Sequence, residues 1–140
     1  MPELSGFNVR VYALCIQNNS ILTLYEPYAG IKICKLPGGG LDYGEGTLEC
    51  LHREFKEELN VKIEITGHFY TQDVFLLSRI KDNKQILNIY YTVTVLDIEN
   101  LVVSSDTKIE KLEWVPIDGE NPFVLEADII AFEKLQKSIL

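Results

Sequence analysis

The sequence predicts an α/β fold of the α+β kind, a mixed β-sheet packed between helices. Three observations carry that expectation. Apolar, β-branched runs fill both halves of the chain, one amphipathic helix interrupts them, and a second helix closes the sequence. A doubly wound parallel sheet would alternate strands with helices throughout. The 140 residues are sized for one domain, taken as residues 1–140, and a 46% hydrophobic content supplies a core and excludes disorder.

Residues 7–16 (FNVRVYALCI) are aromatic and β-branched enough for a strand. The turn cluster Gln17-Asn18-Asn19-Ser20 follows, and residues 21–25 return as the second arm of a hairpin. Residues 27–30 break the pattern, and residues 31–36 form another short strand. Pro37-Gly38-Gly39-Gly40 is the densest backbone punctuation in the chain. Residues 47–59 (TLECLHREFKEEL) read as a helix, with Thr47 as N-cap and Asn60 as a left-handed stop. Strands are expected over 62–69 and 73–78, a hairpin turn over 80–84, a long strand over 86–97 and a short one over 111–115. Residues 122–140 form the closing helix, because Phe123, Ala127, Ile130, Ala131, Leu135 and Ile139 recur at helical spacing.

Charge narrows the partners. Thirteen basic residues against 21 acidic ones give a formal charge of -8, which repels nucleic acid and anionic lipid alike. No apolar stretch reaches the length of a membrane span, so neither nucleic acid nor membrane is an expected partner. Cys15, Cys34 and Cys50 are odd in number and read as small buried residues of a reducing compartment. Glu3 stands where a signal peptide carries basic residues, and the expected location is the cytoplasm.

The chemistry concentrates on the first helix. At about 100° per residue, Leu48, Leu51, Phe55 and Leu59 form a core stripe, and Glu54, Glu57 and Glu58 share a neighbouring face flanked by Arg53. Like charges at these spacings destabilise a helix by a few tenths of a kcal/mol each. Carboxylates near the helix C-terminus also oppose its dipole. A hard divalent cation resolves both costs. The plainer reading is a solvated acidic face. The neighbouring glycine run weighs against it, since it lets backbone carbonyls and amides approach a ligand closely.

The spacing is that of a known motif. Gly39, five residues, Glu45, seven residues, then Arg53-Glu54-Phe55-Lys56-Glu57-Glu58-Leu59-Asn60-Val61 resembles the Nudix box of the MutT-like hydrolases. Phe55 occupies a bulky apolar position, and Asn60 replaces the usual glycine, a departure that a residue tolerant of positive φ absorbs. The approach Lys35-Leu36-Pro37-Gly38 and the later Glu113-Trp114-Val115-Pro116 are similar to family segments as well.

The resemblance implies an α/β/α sandwich that uses Mg2+ or Mn2+ to cleave a nucleoside diphosphate joined to another group. It implies Glu54, Glu57 and Glu58 as metal ligands, joined by the Gly38 carbonyl, with one glutamate or a later loop residue handling the attacking water. Arg53 would hold a glutamate through a bidentate pair, and Glu45 would partner Arg53 or stand just outside the metal. Relatives add an acidic residue before the Trp-bearing strand. Here that position falls near Lys108, leaving Glu110, and behind it Asp106, as the nearest substitutes. His52 reads as solvated and His68 has no assigned role. Tyr28, Tyr70, Tyr90 and Tyr91 read as packing residues before base-stacking ones, and Trp114 as core or pocket wall. No proline lies between Pro37 and Pro116. Subgroups acting on ADP-ribose often carry one, so nucleoside triphosphates are the favoured substrates, with ADP-ribose or nucleotide sugars as the alternative. A module that senses nucleotides without cleaving them is a further alternative, against which the complete set of box carboxylates counts. The expected partner is a small nucleotide, and a homodimer is common in the family.

Overall fold

A computed structural model of the chain describes residues 3–139. Its axis is β1 (Gly6–Gln17), which runs parallel to β7 (Lys84–Val95) from Gly6↔Lys84 to Cys15↔Val93. Around this pair the sheet continues through β2 (Ser20–Tyr28) and β3 (Ile31–Lys35) on one side and β5 (Ile63–Thr71) on the other, in the order β3-β2-β1-β7-β5. Three short strands complete it: β4 (Gly38–Gly40) on β1, β6 (Leu76–Leu77) on β7 and β8 (Lys111–Pro116) on β2. One parallel pairing among antiparallel ones makes it the mixed sheet that the sequence predicts.

Helices cover both faces. Val11, Ala13 and Cys15 of β1 join Leu51, Phe55 and Leu59 of α1 (Thr47–Leu59) in one core cluster. Tyr12 and Leu14 join Ala131, Phe132 and Leu135 of α2 (Glu126–Ser138) in the other. Alternate residues of one strand therefore feed two cores, which is why β1 is apolar without a polar alternation.

Turn chemistry fixes the hairpins. Asn18 and Asn19 both adopt positive φ (51° and 56°), the geometry a two-residue β1–β2 turn requires, and Ala29 and Gly30 repeat it between β2 and β3. The expected break at residues 27–30 is thus only a turn, and β2 continues through Pro27. Proline is tolerated there because β8 pairs with β2 no further than Tyr25, leaving that side of Pro27 without a ladder to supply.

Five expectations are corrected. The glycine run is a strand, β4, antiparallel to β1 with Arg10↔Gly40 and Tyr12↔Gly38. The strand expected over 73–78 shrinks to Leu76–Leu77. The closing helix starts at Glu126, since residues 122–125 stay extended or irregular and Asn121 Oδ1 accepts the Phe123 N–H at 3.0 Å. In α1 the N-cap is Gly46, whose N–H donates to Glu49 Oε1 at 3.0 Å, and the Thr47 hydroxyl meets that of Tyr91 at 2.7 Å. Leu48 is 47% exposed, and Cys50 takes its place in the core. The three cysteines are buried and free.

Candidate active site

The site is built where β4 lies against α1. A Cβ at Gly39 would fall 2.6–2.8 Å from the Glu54 carboxylate, and one at Gly38 would run into the Val11 carbonyl oxygen. Gly38 also holds φ at 143°. Only glycine lets the strand pass this close to the helix and to β1. The space so freed is filled by the Glu54 side chain, which is 11% exposed.

Arg53 organises the acids around it. Its Nε and Nη2 donate to the two carboxylate oxygens of Glu45 at 3.0 and 2.7 Å, a bidentate pair. Its Nη1 donates to Glu54 at 2.7 Å and to Glu57 at 3.3 Å, and its Nη2 to the Gly40 carbonyl at 3.0 Å. One guanidinium thus ties the loop before the helix, the helix itself and β4 together. Hydrogen bonds from Arg53, then the Asp42 N–H, hold the Glu45 carboxyl down to about 2. Glu45 first, then Glu54, raise Arg53 against the opposing effect of burial.

Glu58 behaves in the opposite way. Burial first, then Glu54 and Glu26, push its carboxyl well above the ordinary range. Glu58 lines a cavity with Glu57, Glu26, Asp106, Thr107 and Lys108. The loop reaches this position through the helix end. Asn60 is in the left-handed conformation (φ 61°), and its Nδ2 donates to the Val102 carbonyl at 2.9 Å and to Ser104 Oγ at 3.1 Å. In return the Ser104 N–H donates to the Glu58 carbonyl, and the Ser104 hydroxyl to that of Glu57. Carbonyls left open by the last helical turn are thereby satisfied, and the chain from Ser104 onward is anchored beside the glutamates. The residue that departs from the box glycine forms this anchor.

The structure brings together Glu45, Arg53, Glu54, Glu57 and Glu58, with Gly38 in the adjoining strand. It does not bring Glu110 to them. The Glu110 N–H donates to the Tyr25 carbonyl at 2.8 Å, extending the β8–β2 ladder by one residue, and its carboxylate pairs with Lys32 at 2.5 Å. Asp106 lines the acidic cavity in its stead. Glu26 was not foreseen. It is a lone acidic residue in an apolar strand, and only the β2–β3 hairpin, which pairs it with Lys35 at 2.6 Å, shows that it faces the site.

His52 and His68 are exposed, and Tyr70 and Tyr90 are buried in a ring stack with centroids 5.8 Å apart. Trp114 is half-buried against the α1-side core. The donor set fits a hard divalent ion by its chemistry, since every candidate is a carboxylate or carbonyl oxygen. Among the described residues no three acidic, histidine or cysteine side chains converge at ligating distance, and the positive charge between Glu54 and Glu57 is that of Arg53.

Solved structures share this architecture. A MutT NUDIX hydrolase from Burkholderia pseudomallei superposes with a TM-score of 0.75 at 22% identity, covering 92% of this chain and 98% of that one. A MutT protein from Methanosarcina mazei Go1 gives 0.75 at 19% identity, with 98% and 99% covered. An ADP-ribose pyrophosphatase from Streptococcus suis gives 0.68 at 17% identity, with 94% and 91% covered. At these identities the likeness establishes the α/β/α fold. No curated protein sequence matches the chain. The family model described as NUDIX domain matches residues 6–131, every strand of the sheet, α1 and the first half of α2, and the chain therefore belongs to the NUDIX family.

Proposed function

We propose that the chain, acting as one domain, is a Mg2+-dependent pyrophosphohydrolase of nucleoside diphosphate derivatives, with nucleoside triphosphates as favoured substrates. Its enzyme class, hydrolysis of phosphoric anhydride bonds, is that of its family. The observation that carries the reading is the Arg53 network, which joins Glu45, Glu54 and Glu57 and ties them to the Gly40 carbonyl, with Glu54 against Gly39. A second reading, an ADP-ribose or nucleotide-sugar pyrophosphatase, is favoured by the structural neighbours described as an ADP-ribose pyrophosphatase and a UDP-X diphosphatase.

Glu54, Glu57 and Glu58, with the Gly38 carbonyl, would hold the metal. When bound, Mg2+ supplies charge neutralisation at the diphosphate and acidifies a water. The chain's own residues do the rest. Arg53 fixes the Glu54 carboxylate through a charge-assisted hydrogen bond and prevents it from turning to solvent. Glu58, Glu26 and Asp106 face one cavity and offer carboxylates to accept the proton of an attacking water. Lys108, the one cation lining that cavity among the described residues, offers charge to a leaving phosphate.

The test is phosphate release from a panel of nucleotides and nucleotide sugars, with and without Mg2+, in the wild type and Glu57→Gln. Glu57 is the most exposed of the three, at 60%, so the variant should fold normally and lose nearly all Mg2+-dependent turnover. Unchanged turnover defeats the site. Mg2+ should also raise the melting temperature of the wild type, and an absent shift counts against any metal there.

A further inference from the structure

A second cavity, of about 260 Å³, opens on the other side of β4. Its lining contrasts with the rest of this acidic chain: Arg10, Lys35 and Arg79 stand against one acid, Glu126. Lys35 is paired with Glu26, whose carboxylate lines the acidic cavity, so a single ion pair joins the two. Among the described residues neither Arg10 nor Arg79 has a carboxylate within ion-pair distance. The Arg10 Nε donates to the Tyr12 hydroxyl at 2.5 Å, which leaves its two terminal nitrogens for an occupant.

Two features indicate what that occupant is. The two tyrosine faces are taken: Arg10 lies over the Tyr12 ring at 5.6 Å and Lys35 over the Tyr28 ring at 5.5 Å, while Phe75, 48% exposed, is a third lining ring with no cation over it. Rings already covered by cations are shelves that steady charge, so the tyrosines give a flat base no platform, and guanosine in the titration below tests the Phe75 ring. The second feature is Asn88, directly opposite Arg10 in the β1–β7 register and 8% exposed. Its side-chain Oδ1 is buried with no hydrogen-bond partner. An acceptor buried without a donor is destabilising until an occupant supplies one. Guanidinium groups serve phosphate oxygens, whereas Oδ1 requires an N–H or O–H.

We propose that this cavity is a subsite for a phosphate carried on the organic part of the substrate, next to a hydroxyl, as in a phosphorylated sugar. Arg10, Lys35 and Arg79 take the phosphate, and Asn88 takes the hydroxyl. The substrate is then a diphosphate whose far group bears a phosphate of its own. The inference rests on the hydrolase reading for its place beside the diphosphate site, but its test does not.

The full chain is titrated calorimetrically in EDTA with ribose 5-phosphate, ribose, inorganic phosphate and guanosine. Ribose 5-phosphate should bind at least about tenfold more tightly than the other three, a difference of about 1.4 kcal/mol. Arg10→Met should abolish that preference, and Asn88→Ala should reduce it. Arg79 is exposed, so Arg79→Met tests the same charge without risk to the fold. Equal binding of inorganic phosphate overturns the proposal, as does a preference for guanosine or a preference unchanged in Arg10→Met and Arg79→Met. A chain without hydrolase activity but with this preference sinks only the proposed function. Turnover without the preference sinks only the subsite.

Discussion

Glu54 of α1 and Asp128 of α2 are acidic side chains pressed against opposite faces of the same sheet, one 11% and the other 2% exposed. Glu54 is met by the Arg53 guanidinium at 2.7 Å. Asp128 is met by a neutral group, the Tyr90 hydroxyl, which donates to Oδ1 at 2.6 Å, and its Oδ2 has no partner among the described residues. Burial pushes Asp128 up to about 6, against the opposing pull of Tyr90. The same placement of a carboxyl group therefore yields two outcomes. Beside a guanidinium, the carboxylate is fixed by a charge-assisted hydrogen bond within a network of acids. Under a tyrosine, burial moves the group toward its neutral form.

The strongest way to break this contrast is to make the α1 face resemble the α2 face. Arg53→Lys retains one positive charge but loses the fork that reaches Glu45, Glu54, Glu57 and the Gly40 carbonyl together. Turnover should fall by about 10- to 100-fold, as for other residues that orient ligands through hydrogen bonds. The acid limb of stability should move too. Glu45 has a folded value of about 2 against an ordinary 4.5, so its contribution is complete above the higher value and is lost as pH falls through the lower. Without the bidentate partner the folded value returns toward 4.5 and this contribution shrinks, so urea melts between pH 2 and 5 should show a flatter acid limb. A lysine variant with wild-type kinetics would show that the network is only structural.

The sign reverses on the other face. Asp128 has a folded value of about 6 against 3.8, so the folded chain binds the proton more tightly than the unfolded one. Its contribution is complete below about 3.8 and is lost as pH rises through about 6. The loss is on the order of 2–3 kcal/mol. Asp128→Asn cannot ionise, and its stability profile should be flatter over that window, meeting or exceeding the wild type near neutrality. Denaturant melts at pH 4, 5, 6 and 7 check it. An Asn variant with the wild-type slope assigns the titration elsewhere.

How much of this was legible in the sequence depends on whether a segment specifies itself or is specified by its neighbours. The helix at 47–59 carries its own period, its box and its stop, and its bounds are those expected. Gly38–Gly40 has no side chains to pattern, so nothing local marks it as a strand, and β1 supplies the ladder that makes it one. Leu48 fits the apolar stripe by angle, yet the sheet presses on the Cys50 side of the helix. Glu110 and Asp106 both lie near the expected acidic position by count. The β8 ladder reaches back to Glu110 and removes it, while the anchor at Ser104 delivers Asp106. Nothing in the sequence singles out Asp128, and only the Tyr12-Tyr90-Tyr70 stack beneath α2 reveals its burial.

Asn60 offers the smallest and sharpest test, because it separates backbone conformation from side-chain anchoring. Asn60→Gly keeps φ near 61° at no steric cost but deletes the hydrogen bonds to the Val102 carbonyl and Ser104 Oγ. The expected loss is about 0.5–1 kcal/mol. Asn60→Ala deletes the same bonds and adds left-handed strain of about 1 kcal/mol. Stability should therefore rank wild type, glycine, alanine. Catalysis should rank otherwise if the side chain matters for delivering Asp106 and Lys108 to the acidic cavity, for then glycine and alanine lose turnover equally despite their different stability. Hydrogen exchange at the Ser104 amide, which donates to the Glu58 carbonyl, reports the anchor itself and should quicken in both variants. Were Asn60→Gly as active and as protected at Ser104 as the wild type, the helix stop alone would explain the residue, and the loop that carries Asp106 would owe its place to the backbone.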